Sequence, residues 1–333
     1  MDSGVAVAGF GYWGQNLVRN FFELGALRMI CDTDPSRASI AAESYPEVPF
    51  QPEFSAILSE DSITAVVIST PASTHYQLAK KALERGKDVL VEKPLALTPE
   101  EGEELVELAE ENGRILMVGH ILRYHPAVEK LEDLIAQGAL GKIQYLYSNR
   151  LNIGKIRTEE NILWSFAPHD ISLMLALLGQ EPASCSCQGA AYLNSEIADV
   201  TLSEFVFADD VRAHIFVSWL HPFKEQRLVV IGSEQMAVFS DDSVEKLVLY
   251  PHKIEWIEQI PTAVKAEGRV IEVVDAEPLR LECQHFLESI ATRRPPRTDG
   301  REGLRVLRVL SRLQRSLEEG AAAPFDRRSG RGA

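Results

Sequence analysis

Gly4-Val5-Ala6-Val7-Ala8-Gly9-Phe10-Gly11-Tyr12-Trp13-Gly14 decides the reading of this chain. A short apolar run leads into G-x-G-x-x-G, and the residues after it are helix formers. In that context Gly9 allows a tight turn, Gly11 lets backbone approach a pyrophosphate, and Gly14 lets helix and strand pack closely. The helix N-terminus offers unpaired N–H groups and partial positive charge to the phosphate. Phe10, Tyr12 and Trp13 lie between the glycines and join the expected cofactor set. The next strand runs to Asp32, 18 residues after Gly14. A carboxylate there accepts hydrogen bonds from an adenosine ribose and repels a 2′-phosphate, which favours NAD over NADP. Arg37 stands close enough to oppose that preference.

Outward from this stretch, apolar runs alternate with amphipathic segments to about residue 120. The runs Val5-Ala8, Leu27-Cys31, Ala65-Ser69, Asp88-Val91 and Ile115-Val118 are apolar apart from Arg28, Ser69 and Asp88 and do not alternate, as parallel strands covered on both faces should not. Thr98-Pro99-Glu100-Glu101 reads as a helix start with Thr at the N-cap. Repeated β-α units predict a doubly wound parallel sheet over residues 1–120. After a helix near 126–137 the pattern changes. Ile143-Leu151, Val200-Phe207, Val211-Trp219, Arg227-Ile231, Met236-Phe239 and Lys246-Tyr250 read as longer strands. Period-2 alternation in Val211-Trp219 predicts a mainly antiparallel, open sheet, with a hairpin turn at Asp209-Asp210. Late helices at about 277–292 and 301–319 complete an α+β domain over 121–320, and 321–333 reads as a flexible tail. At about 150 residues per domain, a chain of 333 residues fits this division.

Acidic residues number 49 against 34 basic ones, a formal charge of −15. That balance argues against nucleic-acid and anionic-membrane partners. No apolar run approaches the roughly 20 residues of a membrane span. Met1-Asp2-Ser3 runs into the first strand without a basic-then-apolar leader, so a cytoplasmic location is expected. Cys31, Cys185, Cys187 and Cys283 lack zinc-type or thioredoxin-type spacing and are expected to be free thiols, with no metal site.

Three further segments carry chemistry. Glu92-Lys93-Pro94 follows the Asp88-Val91 strand, where open α/β sheets bind ligands. Alone, a lysine there is also an ordinary surface residue. Ser69-Thr70-Pro71 and Thr74-His75, after the preceding strand, line the nicotinamide side or form an ordinary loop. Trp164-Ser165-Phe166-Ala167-Pro168-His169-Asp170 opens an apolar helix. A histidine at that helix start would be kept neutral by the dipole, while Asp170 caps the helix or holds the imidazole. Asn149-Arg150-Leu151-Asn152-Ile153-Gly154-Lys155-Ile156-Arg157 is the densest basic cluster and would clamp a diphosphate or carboxylate, unless it is simply a solvated loop.

The fingerprint, the Ser-Thr-Pro loop, Glu92-Lys93-Pro94, the Gly119-His120 turn and His169 together resemble the glucose-fructose oxidoreductase / inositol 2-dehydrogenase (Gfo/Idh/MocA) family. The resemblance implies a Rossmann domain, an open-sheet domain, a site between them, and homodimers or homotetramers packed through the sheet. The Asn149–Arg157 and Trp164–Asp170 segments resemble its nucleotide-sugar branch. That branch includes UDP-N-acetylglucosamine and UDP-N-acetylglucosaminuronate 3-dehydrogenases, which make 3-keto sugars for amino-sugar and lipopolysaccharide biosynthesis. Lys93 and His169 are then the catalytic pair, with either as the base. Glu92 and Trp164 join the cofactor set. Arg123, Tyr124, Asn149, Arg150, Asn152, Lys155, Arg157 and Ser165 join Lys93 and His169 in the sugar set. Some relatives pass the hydride on to 2-oxoglutarate. Many members carry Asp four residues before the histidine; Ser165 stands there here, which shifts weight onto Lys93. A free aldose, an inositol-type cyclitol, a non-catalytic NAD sensor and an NAD-using glycosidase remain alternatives.

Overall fold

A computed structural model describes residues 4–154 and 156–320. The first half runs β1 (Val5–Ala8), α1 (Gly14–Glu23), β2 (Leu27–Cys31), α2 (Ser36–Ser44), β3 (Phe50–Gln51), α3 (Phe54–Ser59), β4 (Ala65–Ile68), α4 (His75–Glu84), β5 (Asp88–Glu92), α5 (Pro99–Glu111) and β6 (Leu116–Gly119). The strands form a six-stranded parallel sheet in the order β3-β2-β1-β4-β5-β6. β1 and β4 are buried along their whole length, which is why their sequences show no alternation. The order reverses between β1 and β4, and the crevice beyond their carboxyl ends is where such sheets take ligands. β3 escaped the sequence reading. It has only two residues, set among the turn-forming Pro46, Pro49 and Pro52. The Thr98 hydroxyl caps α5 by accepting from Glu101 N–H at 3.3 Å, while the Glu101 carboxylate accepts from Leu97 N–H.

The second half continues with α6 (Pro126–Ala136), β7 (Ile143–Leu151), α7 (Ile162–Leu178), β8 (Ser184–Ala190), β9 (Val200–Val206), β10 (Arg212–Ser218), β11 (Glu225–Gly232), β12 (Met236–Ser240), β13 (Leu247–Tyr250), β14 (Lys253–Ile257), β15 (Ile260–Val264), β16 (Arg269–Val270), α8 (Pro278–Thr292) and α9 (Gly300–Glu319). An eight-stranded sheet follows the order β16-β13-β12-β11-β7-β10-β9-β8, with β14 and β15 as a separate hairpin. Its pairs are antiparallel except β7 with β10. Ala213, Ile215 and Val217 of β10 enter a core built with α6, α7 and α9, while Arg212, His214 and Phe216 face outward. Asp209 and Asp210 adopt φ of 55° and 60° at the β9–β10 turn, the left-handed region that short polar side chains tolerate.

α7 departs from the sequence expectation. It begins at Ile162, with the Asn161 side chain accepting from Trp164 N–H at 3.2 Å, and Pro168 lies inside it. Asp170 is therefore no cap.

The last two helices return to the first half. α8 places Leu279, Cys283, Phe286 and Ile290 in the core around β1 and α1. α9 sends Leu304 into the core on the other face of that sheet and Val306, Val309, Leu310 and Leu313 into the second core. Val118 N–H donates to Thr298 O at 2.8 Å, stitching the α9 approach to β6. No described helix is long and apolar enough to cross a membrane, and the four cysteines are free thiols. The predicted tail, 321–333, lies outside the described residues.

Glu282 of α8 is 1% exposed, and neither carboxyl oxygen has a hydrogen-bond partner among the described residues. Burial, reinforced by the negative charge of Glu92, holds its carboxyl well above the usual range. A raised folded-state pKa gives stability that is whole at acid pH and lost as pH rises. Glu282→Gln should raise Tm at pH 8 by a few degrees and change it little near pH 4, as thermal denaturation will show.

Candidate active site

The glycine loop at the end of β1 leaves room for a ligand at one place. Gly9 has φ of +95°, and a Cβ there would lie 2.4 Å from Ser69 O. A Cβ on Gly14 would lie 1.9 Å from Gly9 O, whereas one on Gly11 would meet nothing within 4 Å. Two glycines therefore hold loop, helix and strand together, and the middle one opens onto space that a pyrophosphate fits. Asp32 braces the loop by accepting from Phe10 N–H at 2.6 Å and from Asp34 N–H at 2.8 Å. The Phe10 side chain is in the core, so only its backbone faces the crevice. Tyr12 is 86% exposed. Arg37 leans on Asp34 at 3.4 Å rather than towards Asp32.

Trp13 folds back from the start of α1 and donates its indole N–H to Glu92 at 2.5 Å, tying the glycine loop to the end of β5. Burial pushes the Glu92 carboxyl up against the opposing pull of Trp13 and Lys93. His75 is pinned between Thr70 O at 2.9 Å and Pro94 O at 2.8 Å, so one imidazole spaces the loops after β4 and β5. Its burial pushes its pKa down. Thr70 and Thr74 hydroxyls meet at 2.6 Å beside Ser69 and Pro71.

Across the crevice stands α7. Lys93 Nζ donates to Ser165 O at 2.8 Å. Ser165 and His169 are four residues apart on α7, and the charge of Lys93 acts on the His169 ring. Burial pushes the Lys93 ammonium below the usual lysine range; Glu160 and Glu92 pull it back, while Arg157 and Arg150 add to the fall. Burial also holds His169 well below its usual value, helped by Lys93, Arg150 and His120. His169 lies two turns inside α7, so the helix dipole proposed from sequence is not the cause. Its Nδ1 has no hydrogen-bond partner among the described residues, and Asp170 does not hold it.

Beside it, His120 at the end of β6 sets Nδ1 2.7 Å from Glu302 of α9. Glu302 also accepts from Ser172 of α7. The His120 and His169 rings stand edge to face with centroids 6.4 Å apart. His120 entered the sequence reading only through the Gly119-His120 turn, without a site role, and Glu302 did not enter it at all.

Several sugar candidates lie elsewhere. Alternation along β7 sends Arg150 towards α7 and Asn149 to the open face, where Asn149 donates to Glu225 at 2.9 Å. Arg150, 8% exposed, grips Asp170 with two bonds of 2.8 and 3.2 Å, and Ser148 adds a third at 2.6 Å. Arg123 is 8% exposed on Glu132 at 3.0 Å, and Tyr124 is 2% exposed with its hydroxyl 3.0 Å from Thr298. The Trp164 indole, a cofactor candidate, instead donates to Gln314 of α9 at 2.9 Å. Asn152 and Arg157 remain on the loop between β7 and α7, Arg157 lying 3.9 Å from Glu160. Lys155 lies outside the described residues.

A Rossmann sheet with a glycine cradle and a lysine at its crevice, joined to an open-sheet domain that brings an imidazole, defines a dinucleotide-dependent oxidoreductase. Residues 3–120 match the oxidoreductase family with NAD-binding Rossmann fold of GFO/IDH/MocA type, and residues 128–238 match the GFO/IDH/MocA C-terminal domain. The chain belongs to this family and is an NAD-binding oxidoreductase. It is 28% identical over 322 residues to UDP-N-acetylglucosamine 3-dehydrogenase of Acidithiobacillus ferrooxidans, covering 94% of this chain and 96% of the relative. A solved structure of that enzyme superposes with a TM-score of 0.83 at 27% identity, covering 95% of this chain and 97% of that one. The NAD-dependent scyllo-inositol 2-dehydrogenase of Bacillus subtilis is 27% identical over 319 residues, 87% of each chain. Levoglucosan dehydrogenase, solved with NADH and levoglucosan, shares the fold at a TM-score of 0.83 and 18% identity, covering 96% of this chain and 98% of that one.

The glycine geometry separates binding from folding. Gly14→Ala should lower Tm by several degrees, because its Cβ meets backbone. Gly11→Ala should leave Tm within about a degree yet weaken the thermal shift produced by NAD, because its Cβ enters the ligand space.

Proposed function

We propose that this enzyme oxidises the 3-hydroxyl of a UDP-N-acetylhexosamine, or of its uronate, to a 3-keto sugar with NAD. The observation carrying the reading is the bond from Lys93 Nζ to Ser165 O, four residues before His169 on α7, with burial pushing both Lys93 and His169 towards their neutral forms. Removing a hydride from a secondary alcohol also requires a base for the hydroxyl proton. When bound, the nicotinamide supplies the hydride acceptor. Neutral Lys93 takes the hydroxyl proton at Nζ, and its bond to Ser165 O aims that nitrogen across the crevice. Neutral His169 adds a second polar contact to the same hydroxyl. A base depressed towards working pH is the more effective one. Asp32 at the end of β2, with Arg37 drawn off by Asp34, supports NAD rather than NADP.

The UDP group would meet Arg157, Asn152 and Lys155 on the β7–α7 loop, and the product would enter amino-sugar and lipopolysaccharide biosynthesis by amination of its ketone. Packing through the outward sheet face as a homodimer or homotetramer belongs to the same reading, as does a cytoplasmic location. The withdrawal of Arg150 into its pair with Asp170 thins the phosphate-binding charge, which favours a second reading, oxidation of an inositol-type cyclitol.

Lys93→Met and His169→Ala should each lower kcat by about 10²–10⁴-fold while leaving the NAD thermal shift in place. NADH formation from UDP-N-acetylglucosamine and from myo-inositol, followed at 340 nm, decides between the two substrates. Unchanged kcat in Lys93→Met would remove lysine from the mechanism.

A further inference from the structure

Glu160 has no part in the chemistry described above. It directly precedes Asn161, which caps α7 and donates its amide to Gln314 of α9 at 2.9 Å. Ile162 N–H donates to Ala198 O at 3.0 Å. The chain at this point is thus fixed from two sides, and the first turn of α7 carries the Ser165 carbonyl that receives Lys93. The Glu160 side chain is 24% exposed, with Arg157 Nε at 3.9 Å. Among the described residues no hydrogen bond reaches its carboxylate, so its acceptor capacity is uncommitted. Its charge acts on both Lys93 and His75, which follow β5 and β4.

We propose that Glu160 is a specificity residue, accepting hydrogen bonds from hydroxyls of a neutral sugar and excluding a ring that bears a carboxylate. A carboxylate oxygen pair suits polyol hydroxyls, which donate charge-assisted bonds to it. The same charge repels a uronate, and partial burial keeps solvent from screening that repulsion. The inference rests on the nucleotide-sugar reading and narrows it to the neutral N-acetylhexosamine.

The charges of Glu160, Glu92 from β5, Arg157 from the Glu160 loop and Arg150 from β7 act together on Lys93, and Lys93 in turn acts on His169 of α7 and His75 of α4. Of these, Glu160 contributes most to keeping the lysine protonated. Its loss should therefore let Lys93 act as a base at lower pH, an effect a purely structural residue would not produce.

The test compares kcat/KM for UDP-N-acetylglucosamine and UDP-N-acetylglucosaminuronate in wild type, Glu160→Gln and Glu160→Asp. Wild type should prefer the neutral sugar by at least about tenfold. Glu160→Gln should narrow that ratio by about tenfold and move the rising limb of kcat/KM to lower pH by about half a unit or more. Glu160→Asp should keep the wild-type preference. Equal or reversed preference in wild type overturns the proposal whether or not the variants fold. An unchanged ratio in folded Glu160→Gln overturns it as well. Both of these results leave the nucleotide-sugar reading standing. No NADH from either sugar overturns that reading and this proposal with it.

Discussion

The hydrogen bond from Lys93 Nζ to Ser165 O joins the parallel sheet to the helix that covers the second sheet. An ammonium at the carboxyl end of β5 can be brought under a carbonyl of α7 only if both sheets hold their registers. Pro168 lies three residues beyond Ser165 and has no N–H to offer the Trp164 carbonyl, which neighbours the one that receives the lysine. Around this contact sit groups of both signs: Glu160, Glu92, Arg157 and Arg150 act on Lys93, while Glu302 holds His120 beside His169. A chain with a formal charge of −15 thereby keeps its crevice from becoming simply acidic.

Much of the first half was legible because both faces of its sheet are buried. A short, mostly apolar run without alternation leaves few alternatives, and β1, β2, β4, β5 and β6 all carry that signature, β1 alone leading into the glycine loop. In the second half, β7 and β9 to β13 were readable from their length and patterning, whereas β8, Ser184–Ala190, was not among the strands read. β14, β15 and β16 were not, because they are largely exposed and lack a buried stripe.

The basic cluster shows where reading by proximity fails. Asn149 and Arg150 are neighbours in the chain, yet the pleat sends them to opposite faces of the sheet. Arg150 is then claimed by Asp170, which stands 20 positions further on. His120 and Glu302 are separated by 182 positions, so nothing local marks them as partners. Glu160 was equally invisible, as one carboxylate among 49 acidic residues in a loop without periodicity. The catalytic candidates were found because they sit at strand and helix positions with a known relation to the crevice; their electrostatic neighbours were not, because those depend on packing.

α8 supplies Phe286 and Ile290 to the core around β1, and α9 supplies Leu304 to the opposite side of the same sheet. A ribosome delivers those residues long after β6. The nascent glycine-loop half therefore emerges with apolar surface that its own sequence cannot cover, and it waits on the final helices for closure. Completion of synthesis, rather than completion of the nucleotide-binding segment, is the point at which this sheet becomes fully sealed.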